Sequence, residues 1–273
     1  MLINTVKEPL DIIVLAGQSN GEGYGLGHTD DPYVPTARIL SMRDVDNQGY
    51  TVDDRSRGTF NITLPRTYLI NITEERRTPT GRVGCLAHYF ARRYERECLS
   101  PDRRLLIIEA AVGATGFAKK NWTPDGVLYQ RLFRMCSLAL GMNPENRIVA
   151  FLWHQGEQDA IFRTHLTPEV REETYFNDLS ALVFGFRSRF GTVPFLAGGF
   201  ADAWRPTCPG AVPVERALRS VISATVRSGF VDSTGLLVND EVLENGDIFH
   251  FSRNSLHVFG ERYFEKYREI ISK

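Results

Sequence analysis

The sequence predicts an α/β fold built on a central parallel sheet. Two observations lead there. Four short apolar runs, at 12–16, 105–111, 147–153 and 193–199, read as strands buried on both faces. Longer segments between and after them repeat their apolar residues every three or four positions, as helices lying against a sheet do. At 273 residues with 42% hydrophobic content, the chain can bury one full core, so a single domain over 1–273 is expected, although length alone would allow two.

The first strand, Ile12 to Ala16, is closed by Gly17, and Ser19 stands just past its carboxyl end. Open α/β sheets bind ligands at that end, because the diverging connections leave a crevice. Ser19 is therefore placed for chemistry; the alternative is a strand-to-helix turn with Ser19 or Asn20 as the helix cap. Residues 24–80 scatter Gly, Asp, Pro and Arg around short candidate strands at 36–42 and 60–64, and read as an irregular insertion beside the cleft. Arg55, Arg57, Arg66, Arg76 and Arg77 lie here and carry the charge to meet an acidic sugar, but a solvated charged loop is the simpler account.

Val83, Ala87, Phe90 and Tyr94 predict a helix over 81–97. The strand at 105–111 then ends in Val112-Gly113-Ala114-Thr115-Gly116, where glycine lets an amide N–H point into the crevice, one way to bind a developing oxyanion. A helix over 127–140 turns Leu128, Leu132, Met135 and Leu138 toward the sheet. After the 147–153 strand comes Trp153-His154-Gln155-Gly156-Glu157-Gln158-Asp159. So many polar groups at a strand end must bond one another if buried, which points to a site. A plain helix N-terminus accounts for Glu157 and Asp159 but not for Gln155.

Phe176, Leu179, Val183, Phe186 and Phe190 predict a long helix over 168–190, with Pro168 at its start. The 193–199 strand leads to Phe200, Asp202 and Trp204, whose rings either floor a sugar pocket or pack in the core. A helix over 212–227, a short last strand at 235–239 and a terminal helix over 256–271 complete the chain. Before that helix, Asp247-Ile248-Phe249-His250 sets a carboxylate three residues ahead of a histidine, close enough to fix the tautomer of a general base. His28 and His257 are the competing histidines. His257 falls in the terminal helix beside Leu256 and Val258, where packing or capping suits it.

Thirty-two basic against 33 acidic residues give a net charge of −1, which argues against a field tuned for nucleic acid and leaves a neutral or weakly charged substrate as the expectation. The amino terminus lacks a basic region followed by a long apolar segment, and no stretch is long enough to span a bilayer, so a cytoplasmic protein without a membrane partner is expected. Cys85, Cys98, Cys136 and Cys208 show no paired spacing, and His154 and His165 fit no zinc pattern; neither metal nor cofactor is expected. Cys85 and Cys136 read as small core residues. The Asn-x-Thr triplets at Asn61, Asn71 and Asn121 read as chance.

Gly17-Gln18-Ser19-Asn20, Trp153-x-Gln155-Gly156-Glu157 and Asp247-x-x-His250 together resemble the SGNH hydrolases, across nearly the entire chain. Within that superfamily they are most similar to the sialate O-acetylesterase and carbohydrate esterase family 6 (acetylxylan esterase-like) branch. Most members continue the first motif with Met, a small residue and Gly, whereas here Gly21 and Glu22 precede Gly23. The resemblance implies a flavodoxin-like three-layer α/β/α sandwich and a serine esterase that removes O-acetyl groups from a carbohydrate through an acetyl-enzyme. It implies Ser19 as nucleophile, His250 as base and Asp247 as its orienting carboxylate. The oxyanion donors it implies are the Ser19 amide, the Gly113 amide and the Gln155 side chain, with Ala114 replacing Gly113 if the register is off by one. Gln18, Asn20 and Glu157 take supporting places. The other readings are an SGNH lipase or thioesterase, which needs an extended apolar groove, and a non-catalytic carbohydrate-binding protein on the same fold. Neither the sugar nor the oligomeric state follows from the sequence.

Overall fold

Among the described residues, seven strands form one sheet in the order β3-β2-β6-β1-β7-β8-β9, where β1 is Leu10–Gly17, β2 Ile39–Asp44, β3 Tyr68–Ile72, β6 Arg104–Glu109, β7 Arg147–His154, β8 Phe195–Gly198 and β9 Ser228–Val231. The structure is a computed structural model and describes residues 7–44, 68–79 and 81–272. Neighbouring strands run parallel except β3, which pairs antiparallel with β2 at one edge. A separate two-stranded ladder joins β4, Arg77–Thr78, to β5, Gly81–Arg82.

The apolar runs of β1 and β6 are buried throughout Ile12–Ala16 and Leu105–Ile108 because helices cover both sides of the sheet. On one side, α2 (Leu86–Glu97) packs on α8 (Arg253–Ile271), which also meets β8 and β9. On the other, α5 (Pro168–Phe190) packs on α6 (Ala211–Ala224), which meets the same two strands, and α3 (Val127–Gly141) lies on β1. This is the three-layer α/β/α arrangement that the sequence predicts.

Strand β1 pairs with β6 on one side and β7 on the other, so the connections leaving its carboxyl end diverge. The turns after β1, β6 and β7 carry Ser19, Gly113 and Gln155, and the topology brings them together. At the opposite end, Asp11 of β1 is fully buried and accepts from Arg103 at 2.8 Å, Arg147 at 2.7 Å and the Tyr94 hydroxyl at 2.7 Å. Burial opposes its charge, but these donors outweigh it and hold its carboxyl below the ordinary value.

Several boundaries differ from the sequence reading. The 24–80 segment is not wholly irregular, since β2 and β3 are strands of the main sheet. The candidate strand at 60–64, Asn61, Arg55, Arg57 and Arg66 lie outside the described residues. The helix expected from 81 begins at Leu86, because the β4–β5 ladder occupies the residues before it. The helix expected to reach 227 stops at Ala224, and the last strand is β9 rather than 235–239. Arg227 takes a left-handed φ of 48°, which ends the helical path before β9. Val238 makes a single bridge to Phe251, and Asn239–Leu243 forms the short helix α7. Leu138 is exposed; at 100° per residue it sits about 90° from the centre of the stripe of Leu128, Leu132 and Met135.

Candidate active site

Ser19 opens the four-residue helix α1 (Ser19–Glu22) immediately after β1. It lines a cavity of about 320 Å³ together with Gln18, Ala114, Glu157, Phe249 and His250. Ser19 and His250 therefore face one space, although the hydroxyl makes no direct hydrogen bond to the ring. Such contacts commonly tighten only when substrate binds.

The His250 ring is held by Asp247, with Nδ1 2.9 Å from Oδ2 and 3.1 Å from Oδ1. The main-chain N–H groups of His250 and Phe249 also donate to Oδ1, at 3.1 and 3.2 Å. Fully buried Asn239 donates to Asp247 Oδ2 at 2.9 Å and to the Tyr24 carbonyl at 3.1 Å, and accepts from the Leu26 N–H at 2.8 Å. Burial opposes ionisation of Asp247, but the hydrogen bonds from His250 and Asn239 outweigh it and bring the carboxyl down to about 2. With Nδ1 facing a carboxylate, Nε2 is the ring nitrogen left to accept a proton. The Tyr24 ring stacks on His250 with centroids 5.2 Å apart.

Gln155 departs from the expected role. Its side chain is 0% exposed and does not line the cavity. Nε2 donates to Asp159 at 2.7 Å, with Gln18 Oε1 at 3.2 Å and the Thr115 carbonyl at 3.3 Å, while Oε1 accepts from the Tyr175 hydroxyl at 3.1 Å. Both ends are thus committed to neighbours. Asp159, whose carboxyl is pushed up by burial, also accepts from the Phe117 and Ala118 N–H groups at 3.0 and 2.7 Å. Gln155 therefore ties the loop after β6 to the turn after β7. Gln155→Leu is expected to lose about 1 to 3 kcal/mol of stability by leaving buried partners unpaired. A lower Tm at undiminished kcat per folded molecule is the result that matches this geometry. An unchanged Tm with a reduced kcat would return Gln155 to the oxyanion.

The Gly113 N–H is also engaged, donating to Glu22 Oε2 at 2.7 Å. Glu22 is braced in turn by Arg76 Nη1 at 2.9 Å, and the Arg76 guanidinium lies 5.4 Å from the Tyr24 ring centroid. The following residue, Ala114, lines the cavity at a left-handed φ of 58°. Gln18 turns its Oε1 inward to the Gln158 N–H at 3.1 Å and to Gln155 at 3.2 Å. Its NH₂ is the remaining end of a side chain that forms part of the cavity wall.

Asn20 and Glu157 are both buried and bonded to each other at 3.0 Å, with Glu157 bordering the cavity. His154 is fully buried, while His165 is exposed. His257 packs under Tyr89, between Thr29 and Glu75 at 2.8 Å each, in keeping with a structural place; His28 pairs with Asp30 at the surface. Cys85 and Cys136 are buried, and burial pushes the Cys85 thiol up to about 12. Trp204 and Phe200 are buried against each other, so they pack in the core, whereas Phe249 reaches the cavity. Asn239, Tyr24 and Glu22 were not foreseen. Only the departure from the family pattern at Gly21-Glu22 marks that stretch in the sequence.

The parallel sheet thus brings a serine and an aspartate-anchored histidine to one cavity at its carboxyl edge. The family described as "Carbohydrate esterase, sialic acid-specific acetylesterase" matches residues 9–269, and the chain belongs to that family. It is a carboxylic ester hydrolase acting on O-acetylated carbohydrate. Among solved structures, NanS gives a TM-score of 0.74 at 19% identity, covering 97% of this chain and 98% of its own. A protein from Arabidopsis thaliana gives 0.67 at 19% identity, over 96% and 98%. A carbohydrate esterase family 2 enzyme with a carbohydrate-binding domain, from Corynascus thermopiles, gives 0.51 at 13% identity, over 98% of this chain and 67% of that one. These likenesses are of fold. A search of curated protein sequences found no match.

Proposed function

We propose that Ser19, His250 and Asp247 carry the esterase reaction on an acetylated sugar hydroxyl. The observation behind this reading is the shared cavity, with Ser19 at the carboxyl edge of β1 and His250 anchored through Nδ1 to an ionised Asp247. His250 Nε2 takes the Ser19 proton as Oγ attacks the acetyl carbonyl, and Asp247 stabilises the imidazolium that forms. The ring then gives the proton to the departing sugar oxygen. Water, deprotonated by the same ring, attacks the acetyl-serine, and the ring returns that proton to Ser19 Oγ as the acetyl group leaves as acetate.

The oxyanion donors in this reading are the Ser19 N–H, the Ala114 N–H and the Gln18 side-chain NH₂. Glu22 occupies the Gly113 amide, which moves the loop donor one residue along. The left-handed backbone of Ala114 is the kind of strain that a packed surround maintains at a functional loop. Each such donor is worth about 2.7 to 4 kcal/mol in the transition state. A cavity of about 320 Å³ is of the size that takes a small-molecule substrate.

The deciding experiment compares p-nitrophenyl acetate, butyrate and octanoate as substrates for the wild type and Ser19→Ala. Acetate is expected to be preferred and its turnover lost in Ser19→Ala, after which acetylated sialic acids and acetylated xylan identify the sugar. Equal slow rates in both proteins would overturn the reading in favour of a carbohydrate-binding protein. Octanoate preference would replace it with a lipase.

A further inference from the structure

We propose that Asn20 is the positioning residue that sets His250 over Ser19, and that Glu157 and His154 serve by orienting it. The inference rests on the reading of Ser19 and His250 as nucleophile and base. Asn20 directly follows the serine and is 1% exposed. Its Nδ2 donates to the Phe249 carbonyl at 3.1 Å, and its Oδ1 accepts from the Phe251 N–H at 3.1 Å. One planar amide thus grips the chain on both sides of His250. Because Ser19 and Asn20 are consecutive in α1, the grip ties the histidine's backbone to the nucleophile's own turn.

Glu157 selects which way the amide faces. A carboxylate only accepts hydrogen bonds, so the Asn20 NH₂ that donates to Glu157 Oε1 at 3.0 Å must lie on the Phe249 side, leaving the oxygen for Phe251. Burial opposes the Glu157 charge, but His154 and Asn20 outweigh it and hold its carboxyl below the usual range, so the acceptor is ionised at neutral pH. His154 Nε2 lies 3.4 Å from Glu157 Oε1, and its Nδ1 lies 3.4 Å from the Tyr263 hydroxyl of α8. Helix α8 begins at Arg253, directly after the gripped loop. The contacts form a closed circuit from α1 through the loop and α8 to the end of β7 and back. Asn20, His154 and Tyr263 do not line the cavity and Glu157 borders it, so the circuit acts through the placement of His250.

Asn20→Ala and Asn20→Asp, measured on p-nitrophenyl acetate beside the wild type and Ser19→Ala, test this. Asn20→Asp keeps the volume and the acceptor but removes the NH₂ and sets a second carboxylate against Glu157. Both variants are expected to lose about 100-fold or more in kcat, the scale of a misplacement near 1 Å. KM is expected to stay within about threefold, because a change in kcat alone marks an interaction needed only in the transition state. Circular dichroism reports the folded fraction, and if Asn20→Ala does not fold, Asn20→Asp carries the test. Folded Asn20 variants with wild-type kcat, or with loss confined to KM, would overturn this proposal while Ser19→Ala is inactive. Equal rates for the wild type and Ser19→Ala would overturn the underlying reading instead.

Discussion

His250→Ala is expected to lower kcat for acetyl ester hydrolysis by on the order of 10⁴- to 10⁶-fold, Ser19→Ala by about the same factor, and the double variant no further than either. The reason is that the two groups act on one proton. A serine without its base is a neutral alcohol, and a base without its serine has no nucleophile to activate, so removing the second adds nothing. Residual hydrolysis then reflects binding and the oxyanion donors alone. If the losses multiplied, the two residues would be acting in separate steps, and the shared cavity would need another explanation.

The same reading fixes the sign of the pH dependence. A histidine base accepts only when unprotonated, so kcat is expected to rise, not fall, as pH rises and the base loses its proton. Asp247 does not contribute to that limb. Its folded value lies near 2, below the ordinary 3.8, so the stability it lends to the loop is full above about pH 4 and fades as pH falls toward 2. A rate that does not rise with pH would count against His250 as the base.

The strands on either side of Ser19 were legible because burial on both faces leaves an unbroken apolar run, as in Ile12–Ala16 and Leu105–Ile108. The Asp247–His250 contact was legible because the two residues stand three positions apart. What the sequence could not rank was two amides of the same kind. Gln18 and Gln155 touch at 3.2 Å, and which of them lines the cavity depends on Asp159 and Tyr175, with Tyr175 twenty positions away in sequence. The partner of the Gly113 N–H was hidden similarly, since Glu22 reaches that amide from 91 residues away. Strand β9 was hidden for another reason: Ser-Gly-Phe-Val is only four residues long and includes a glycine, so it shows neither an apolar run nor an alternation long enough to register. Asn239 was read as a strand end, and its four hydrogen-bond partners at Tyr24, Leu26, Asp247 and His250 exist only in the folded chain.

Gly17→Ala is expected to have the largest effect on stability of any single methyl added near the site. Gly17 pairs with His154 where β1 and β7 end, and its φ is +129°. A Cβ built there meets the His154 carbonyl oxygen at 2.0 Å. That oxygen accepts the Gln18 N–H at 2.8 Å, so it cannot yield without breaking the bond that starts the Ser19 turn. Backbone strain of about 1 to 3 kcal/mol and overpacking of about 1 to 3 kcal/mol together give roughly 2 to 6 kcal/mol. For a chain of this size that lowers Tm by on the order of 10 °C. Gly191→Ala separates the two contributions: its φ is +88°, but nothing lies within 4 Å of the added carbon, so only the backbone term applies. The Gly17 variant should therefore melt well below the Gly191 variant and, where still folded, lose kcat as the turn carrying Ser19 shifts. Equal melting of the two would mean that the ends of β1 and β7 can part without penalty. The turns that carry Ser19 and the 155–157 residues would then have room to move independently, contrary to the close contact on which the site is built.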